Sequence, residues 1–165
     1  LGINFPIAIR YPRGRGHLLD WRQPFKAIDI GKGVCLNKGE VVAVLSIGTI
    51  AYTVESAIKS IDKKHNVGHY DMQFIKPLDK DLLHNIFKNY DAILTIEDGT
   101  IVGGFGSSIL AFANTNNYIH KIITLGIEDQ FIEHGTVNQL KQLQQLDALS
   151  IKKEIEQLLF SLNNC

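Results

Sequence analysis

The sequence predicts an α/β fold in which a mainly parallel sheet is covered by helices on both faces, a three-layer α/β/α arrangement. Strand-like apolar runs alternate with segments of helical periodicity from residue 41 to the end of the chain. The first run, residues 41–47, is almost continuously apolar, as expected of a strand that is buried on both faces. With 165 residues, 45% of them hydrophobic, the chain is long enough for one soluble domain with its own core.

The elements follow in order. Residues 5–11 predict a short strand, because Ile7 and Ile9 alternate with smaller or polar neighbours. Residues 16–40 lack clear periodicity, and their glycines predict a linker, with a domain boundary, that ends in a small hairpin. After the strand at 41–47, Thr49 is a candidate cap for a helix with apolar positions at helical spacing. The remaining predictions are strands at 67–74, 92–96 and 121–125 and helices beginning at Pro77 to Asp79, Ser107, Thr136 and Ser150, the last capped by Ser150 with Glu154 near the reciprocal position.

Charge and composition exclude several classes of function. The formal net charge is zero, which argues against a broadly basic nucleic-acid surface and against an electrostatic membrane anchor. No apolar run approaches the roughly 18 to 20 residues that span a bilayer. Cys35 and Cys165 lie far apart, so they predict neither a disulfide framework nor a metal knot, and we expect a reducing, cytoplasmic compartment. Because the chain opens on Leu1, we expect it to be part of a longer polypeptide.

Arginine is confined to the start of the chain, at Arg10, Arg13, Arg15 and Arg22. Two of these stand in the loop Arg-Gly-Arg-Gly at residues 13–16, which follows the first predicted strand. A guanidinium group suits a phosphate or carboxylate, because its planar fork donates two parallel hydrogen bonds. The alternative interpretation is a solvated basic loop.

A glycine-rich turn at residues 96–109 joins the third predicted strand of the domain to a helix. Glycines and a helix start together suit an anionic ligand. However, the turn lacks the dinucleotide-binding and Walker patterns, and the favoured interpretation is that its glycines let the helix start close to the sheet or to a partner chain. Glu97 and Asp98 could act as general acid and base if they are buried together, or could serve helix approach or an interface.

The sequence contains no self-contained catalytic constellation. The histidines do not form metal-binding pairs, apart from a loose pair at His65 and His69, so no metal site is predicted. His134 stands among acidic, aromatic and glycine residues in a predicted loop, where a histidine more often packs or caps. The sequence has no nucleophile elbow, and neither cysteine has an evident histidine partner.

Six motifs in a fixed order carry a family resemblance. They are Ala-Ile-Arg-Tyr-Pro-Arg-Gly at 8–14, Ile-Gly-Lys-Gly at 30–33, Phe-Ile-Lys-Pro-Leu-Asp at 74–79, Thr-Ile-Glu-Asp at 95–98, Gly-Gly-Phe-Gly-Ser at 103–107 and Gly-Ile-Glu-Asp-Gln-Phe-Ile-Glu-His-Gly at 126–135. With these six motifs in this order, the chain resembles the C-terminal end of the 1-deoxy-D-xylulose-5-phosphate synthase family. One departure is Glu128, where many relatives have proline.

The resemblance implies a transketolase-type C-terminal domain with a five-stranded, mostly parallel sheet at residues 41–165. It also implies that residues 1–20 end a preceding pyrimidine-binding domain and that residues 21–40 form the linker. The family's full enzyme is a homodimer that uses thiamine diphosphate and Mg²⁺ to join decarboxylated pyruvate to glyceraldehyde 3-phosphate, for isoprenoid precursor synthesis. The family's phosphate-binding arginine corresponds to Arg13, and Arg10 is a weaker candidate.

The family's cofactor-binding and catalytic residues belong upstream. The resemblance therefore implies that this portion alone binds no cofactor and turns over no substrate, and that it serves domain and dimer packing. One alternative is the same domain from another thiamine-diphosphate enzyme, such as a transketolase or the beta subunit of a 2-oxo acid dehydrogenase. Another is a stand-alone interaction module whose glycine turn binds an anion.

Overall fold

The computed structural model describes residues 6–11, 24, 26–62 and 66–162, and these contain five strands and five helices. The strands are β1 (Val34–Asn37), β2 (Val42–Ile47), β3 (Val67–Asp71), β4 (Ala92–Thr100) and β5 (Lys121–Ile127). The helices are α1 (Ile50–Lys59), α2 (Lys80–Asn89), α3 (Phe105–Thr115), α4 (Val137–Leu143) and α5 (Ala148–Leu162).

The five strands form one sheet in the order β1-β3-β2-β4-β5. β3, β2, β4 and β5 are parallel, and β1 pairs antiparallel with β3 at the edge. Helices cover both faces, which confirms the predicted three-layer fold with a five-stranded, mostly parallel sheet. Because the chain leaves β2 toward β3 on one side and later crosses to β4 on the other, the loops that follow β2 and β4 diverge at the carboxyl edge of the sheet. In open α/β sheets this is the place where ligands bind.

The central strand β2 separates two cores, and all six of its residues are buried. Val42 and Val44 pack with α1 and α5, whereas Ala43 and Leu45 pack with α2 and α3. Successive side chains of a strand point to opposite faces, so a run that faces helices on both sides must be apolar at every position. The apolar run at 41–47 therefore predicted its environment correctly.

Some of the predicted helix starts agree with the structure, and others differ from it. Asp79 caps α2 as predicted, with its side chain accepting a hydrogen bond from Leu82 N, and Thr136 forms a capping box with Gln139. Thr49 precedes α1, but its side chain makes no capping hydrogen bond. The predicted cap at Ser150 is wrong, since α5 begins two residues earlier. Asp147 is the capping residue instead, because its carboxylate accepts hydrogen bonds from the N–H groups of residues 149 and 150 at 3.0 and 3.3 Å.

Two predictions for the first 40 residues are also wrong within the described residues. Residues 6–11 belong to no strand, because they pair with none of the five strands of the sheet. Residues 34–37 do not form a local hairpin but pair with β3 as the edge strand β1. Among the described residues, no helix is long and apolar enough to cross a membrane.

Candidate functional site

Glu97 lies at the carboxyl end of β4 and is 5% exposed. Its carboxylate accepts hydrogen bonds from the backbone N–H groups of Phe105 and Gly106, both at 2.9 Å, which are the first two residues of α3. A helix start has unpaired N–H groups and a partial positive charge that favour an anion. Here the protein's own carboxylate takes that position, so the start of α3 is satisfied from within the domain.

The glycines of the turn allow this close packing. A Cβ on Gly104 would collide with the Thr100 carbonyl oxygen and lie 2.6 Å from Glu97 Oε1. A Cβ on Gly106 would lie 2.8 Å from both Thr95 Oγ1 and Thr124 Cγ2. The glycines therefore let the first turn of α3 sit directly against β4 and β5, which is the packing interpretation of the sequence.

The remaining polar groups of the turn also pair internally. Gly103 has φ of +71°, and its N–H donates to Ser107 Oγ at 3.1 Å. Ser107 Oγ in turn donates to the carbonyl of Ile101 at 2.7 Å. Because these donors already have partners, the turn does not have the geometry of an open phosphate-binding loop.

Asp98 has a different partner from Glu97, namely Arg10. Arg10 Nη1 lies 3.2 Å from Asp98 Oδ1, and Arg10 Nη2 donates to the Asp98 carbonyl at 3.0 Å. The side chain of Asp98 is 31% exposed, and that of Arg10 is 68% exposed. The two carboxylates thus have separate partners and are not buried together, so they do not form the acid–base pair considered from the sequence.

A buried histidine lies on β3, on the other side of β2 from Glu97. In the sequence it stood out only through its loose spacing to His65. His69 is 1% exposed, and its Nε2 lies 2.8 Å from Ser46 Oγ. Burial lowers the pKa of His69 to about 4, with a small opposing effect of the Glu55 carboxylate. His69 is therefore neutral at physiological pH. His65, the other member of the loose pair seen in the sequence, lies outside the described residues.

A groove of about 1780 Å³ runs along the carboxyl edge between residues 6–11 and the sheet. Its lining includes Arg10, Ile47, Glu55, His69, Glu97 and Asp98. This volume exceeds the roughly 300 to 1,000 Å³ of a typical small-molecule pocket.

The motif Ile-Gly-Lys-Gly at residues 30–33 contacts the start of α2. Lys32 Nζ lies 3.3 Å from Asp79 Oδ1 and 3.2 Å from Asp81 Oδ2, and Gly33 N donates to Asp79 Oδ2 at 3.1 Å. Burial acts to raise the pKa of Asp79, but hydrogen bonds from Leu82 N, Gly33 N and Lys32 outweigh it and lower that pKa below its ordinary value. Asp79 therefore joins the start of α2 to the segment that precedes β1.

The other predicted site residues do not converge. Arg13, the predicted phosphate ligand, lies outside the described residues, as do Arg15 and His17. His134 is exposed in the segment between β5 and α4. His84 Nδ1 lies 2.8 Å from the hydroxyl of Tyr118. In the described part of the chain, no group of three or more histidine, cysteine, aspartate or glutamate side chains could hold a metal ion.

Comparison with known proteins agrees with this architecture. The family model described as transketolase, C-terminal domain, matches residues 31–151. A solved structure titled split gene transketolase, inactive beta4 tetramer, superposes with a TM-score of 0.72 over 79% of this chain and 43% of that chain. At 24% sequence identity this likeness shows the fold.

Curated relatives extend the match beyond the family model. The chain is 45% identical over 152 residues to a 1-deoxy-D-xylulose-5-phosphate synthase of Parabacteroides distasonis, covering 92% of this chain and 24% of the relative. Proteins of the same name from Bacteroides fragilis and Photobacterium profundum are 48% and 36% identical, each over 91% of this chain and 24% of the relative. The chain thus spans about a quarter of the length of these relatives. It belongs to the transketolase C-terminal domain family and is similar to the C-terminal portion of 1-deoxy-D-xylulose-5-phosphate synthases.

Proposed function

We propose that the chain is the C-terminal portion of a 1-deoxy-D-xylulose-5-phosphate synthase, which condenses pyruvate with glyceraldehyde 3-phosphate, with loss of CO2, for isoprenoid precursor synthesis. The observation that carries this proposal is the identity of 45% over nearly the whole chain to relatives of that name. The reaction belongs to the full-length enzyme, which acts in the cytoplasm as a homodimer with thiamine diphosphate and Mg²⁺. This portion alone is inactive and supports domain and dimer packing.

The domain limits belong to the same proposal. Residues 1–20 end a pyrimidine-binding domain, residues 21–40 link the domains, and residues 41–165 form the C-terminal domain. The family match begins at residue 31 and therefore includes the edge strand β1. The linker therefore enters the C-terminal sheet before its predicted end.

Arg13 binds the phosphate of glyceraldehyde 3-phosphate in this proposal. A guanidinium group can donate two parallel hydrogen bonds to a phosphate, and such charge-assisted hydrogen bonds are stronger than those between neutral groups. Further support comes from Arg10, three residues earlier, which contacts Asp98 at the carboxyl edge where α/β proteins bind ligands. The competing anion-binding module has less support, because Glu97 already pairs with the N–H groups of Phe105 and Gly106.

Steady-state kinetics of the full-length enzyme test this assignment. A charge-assisted phosphate contact is worth roughly 1.5 to 3 kcal/mol, so Arg13→Ala should raise the KM for glyceraldehyde 3-phosphate about 10- to 150-fold. The KM for pyruvate should stay unchanged, because pyruvate carries no phosphate. Arg15→Ala is the matched control, since it removes the same charge two residues away. An acceptor KM that is equal in Arg13→Ala and wild type would refute the assignment.

A further inference from the structure

Residues 6–11 lie at the carboxyl edge of the sheet without joining it. All six are exposed and none belongs to a helix or a strand. The segment lines the groove at that edge. Arg10 attaches the segment to the end of β4 by two contacts to Asp98, one to the carboxylate and one to the backbone carbonyl.

The end of β4 offers this double contact because its ladder is interrupted there. Glu97 is the last residue of β4 that pairs with β2. On the other side, the register between β4 and β5 shifts between Ile96 and Thr100. Asp98 therefore has no partner residue in either ladder, and its carbonyl can accept from a side chain. A guanidinium reaches carboxylate and carbonyl together because its donors form a planar fork, whereas an ammonium group is a single point of charge.

Gly99 lies between the contacts of the two acids. A Cβ at this position would lie 3.1 Å from Glu97 Oε2, which is a tight approach, and 3.6 Å from Arg10 Nη1, which is an ordinary contact. The two adjacent acids at the end of β4 thus hold different neighbours. Glu97 fixes the start of α3, and Asp98 fixes the segment that contains Arg10.

From this geometry we propose that Arg10 is a positioning residue that, through Asp98, holds the segment leading to Arg13 at the carboxyl edge of the C-terminal sheet. The proposal rests on the proposed function, since it assigns Arg10 a part in acceptor binding through Arg13. Arg10 does not contact the substrate phosphate, because its guanidinium is committed to Asp98. Arg13 lies only three positions after Arg10, so a fixed Arg10 limits where the phosphate-binding arginine can go, and preorganisation of this kind raises affinity.

Limited proteolysis of the chain tests the contact itself. Trypsin must take the Arg10 side chain to cut the bond between Arg10 and Tyr11, so the cutting rate follows the fraction of molecules in which Arg10 is released. Exposed arginine–carboxylate pairs change such an equilibrium about two- to fivefold. We expect Asp98→Ala to release the fragment ending at Arg10 about two to five times faster than wild type. Asp91→Ala, which removes an exposed acid at the opposite end of β4, should cut at the wild-type rate.

Kinetics of the full-length enzyme separate positioning from direct binding. Arg10→Ala and Asp98→Ala should each raise the KM for glyceraldehyde 3-phosphate about two- to fivefold with kcat unchanged, and the double variant should show no further increase. A tenfold or larger increase for Arg10→Ala with no increase for Asp98→Ala would overturn the proposal, because it would indicate direct phosphate binding. If trypsin cuts Asp98→Ala at the wild-type rate, the proposed contact is overturned. If Arg13→Ala leaves the KM for glyceraldehyde 3-phosphate unchanged, the proposed function of Arg13 is refuted. The two failures therefore appear in different measurements.

Discussion

Glu97 gives the sharpest test of how the glycine turn is held together. Its carboxylate accepts two backbone hydrogen bonds of 2.9 Å at the start of α3 and is almost fully buried. In Glu97→Gln one amide oxygen can still accept, but the amide NH2 group then faces a backbone N–H. The variant therefore leaves a buried backbone N–H and the amide NH2 that faces it without an acceptor, at about 1 to 3 kcal/mol, and loses the charge at the helix start, at about 0.3 to 1 kcal/mol.

We therefore expect Glu97→Gln to lower the free energy of unfolding by about 1 to 4 kcal/mol. The measurement is urea unfolding of the chain followed by circular dichroism, where such a change is a large part of the roughly 5 to 15 kcal/mol typical of a domain. Asp98→Asn is the matched control at the next position, and loss of its exposed ion pair should cost no more than about 1 kcal/mol. A loss below 0.5 kcal/mol in Glu97→Gln (roughly the scatter of surface substitutions) would refute the capping role.

Two further predictions concern the buried polar and glycine positions. Burial lowers the pKa of His69 from 6.5 to about 4, so between these values the unfolded chain binds a proton that the folded chain does not. Stability should fall as pH drops from 6.5 to 4, by up to about 3 kcal/mol from this residue, and His69→Gln should remove that part of the dependence in urea unfolding while His134→Gln retains it. Gly106→Ala should cost about 1 to 2 kcal/mol net of its better helix propensity, because its Cβ would lie 2.8 Å from Thr124 Cγ2. Adding Thr124→Ser should recover part of that loss, and no loss in the single variant would contradict the packing.

The elements that the sequence predicted well are those whose signals are local. The apolar run at 41–47 identified β2, and Asp79 identified the start of α2, because burial on two faces and capping each leave a mark within a few residues. Asp147 and Ser150 are both good capping residues, and the chain uses the first, so the start of α5 was predicted two residues late.

The features that the sequence missed depend on contacts between distant residues. All four residues of β1 are exposed and show no alternation, so its strand character comes from pairing with β3, more than 30 residues away. α3 begins at Phe105, before the predicted Ser107, because Glu97 satisfies the N–H groups of its first two residues from eight and nine positions earlier. Arg10 and Asp98 are 88 residues apart, and no local pattern links them.

Glu97 satisfies the N–H groups of the glycine turn from within the domain, and we propose that phosphate recognition belongs to Arg13. Titration of the ¹⁵N-labelled chain with inorganic phosphate, read at the backbone amides of Phe105 and Gly106, tests it most directly. We expect no saturable shift at these two amides, because both already donate to Glu97. A saturable shift at both amides that persists in Arg13→Ala would contradict the claim and identify the turn as an anion site.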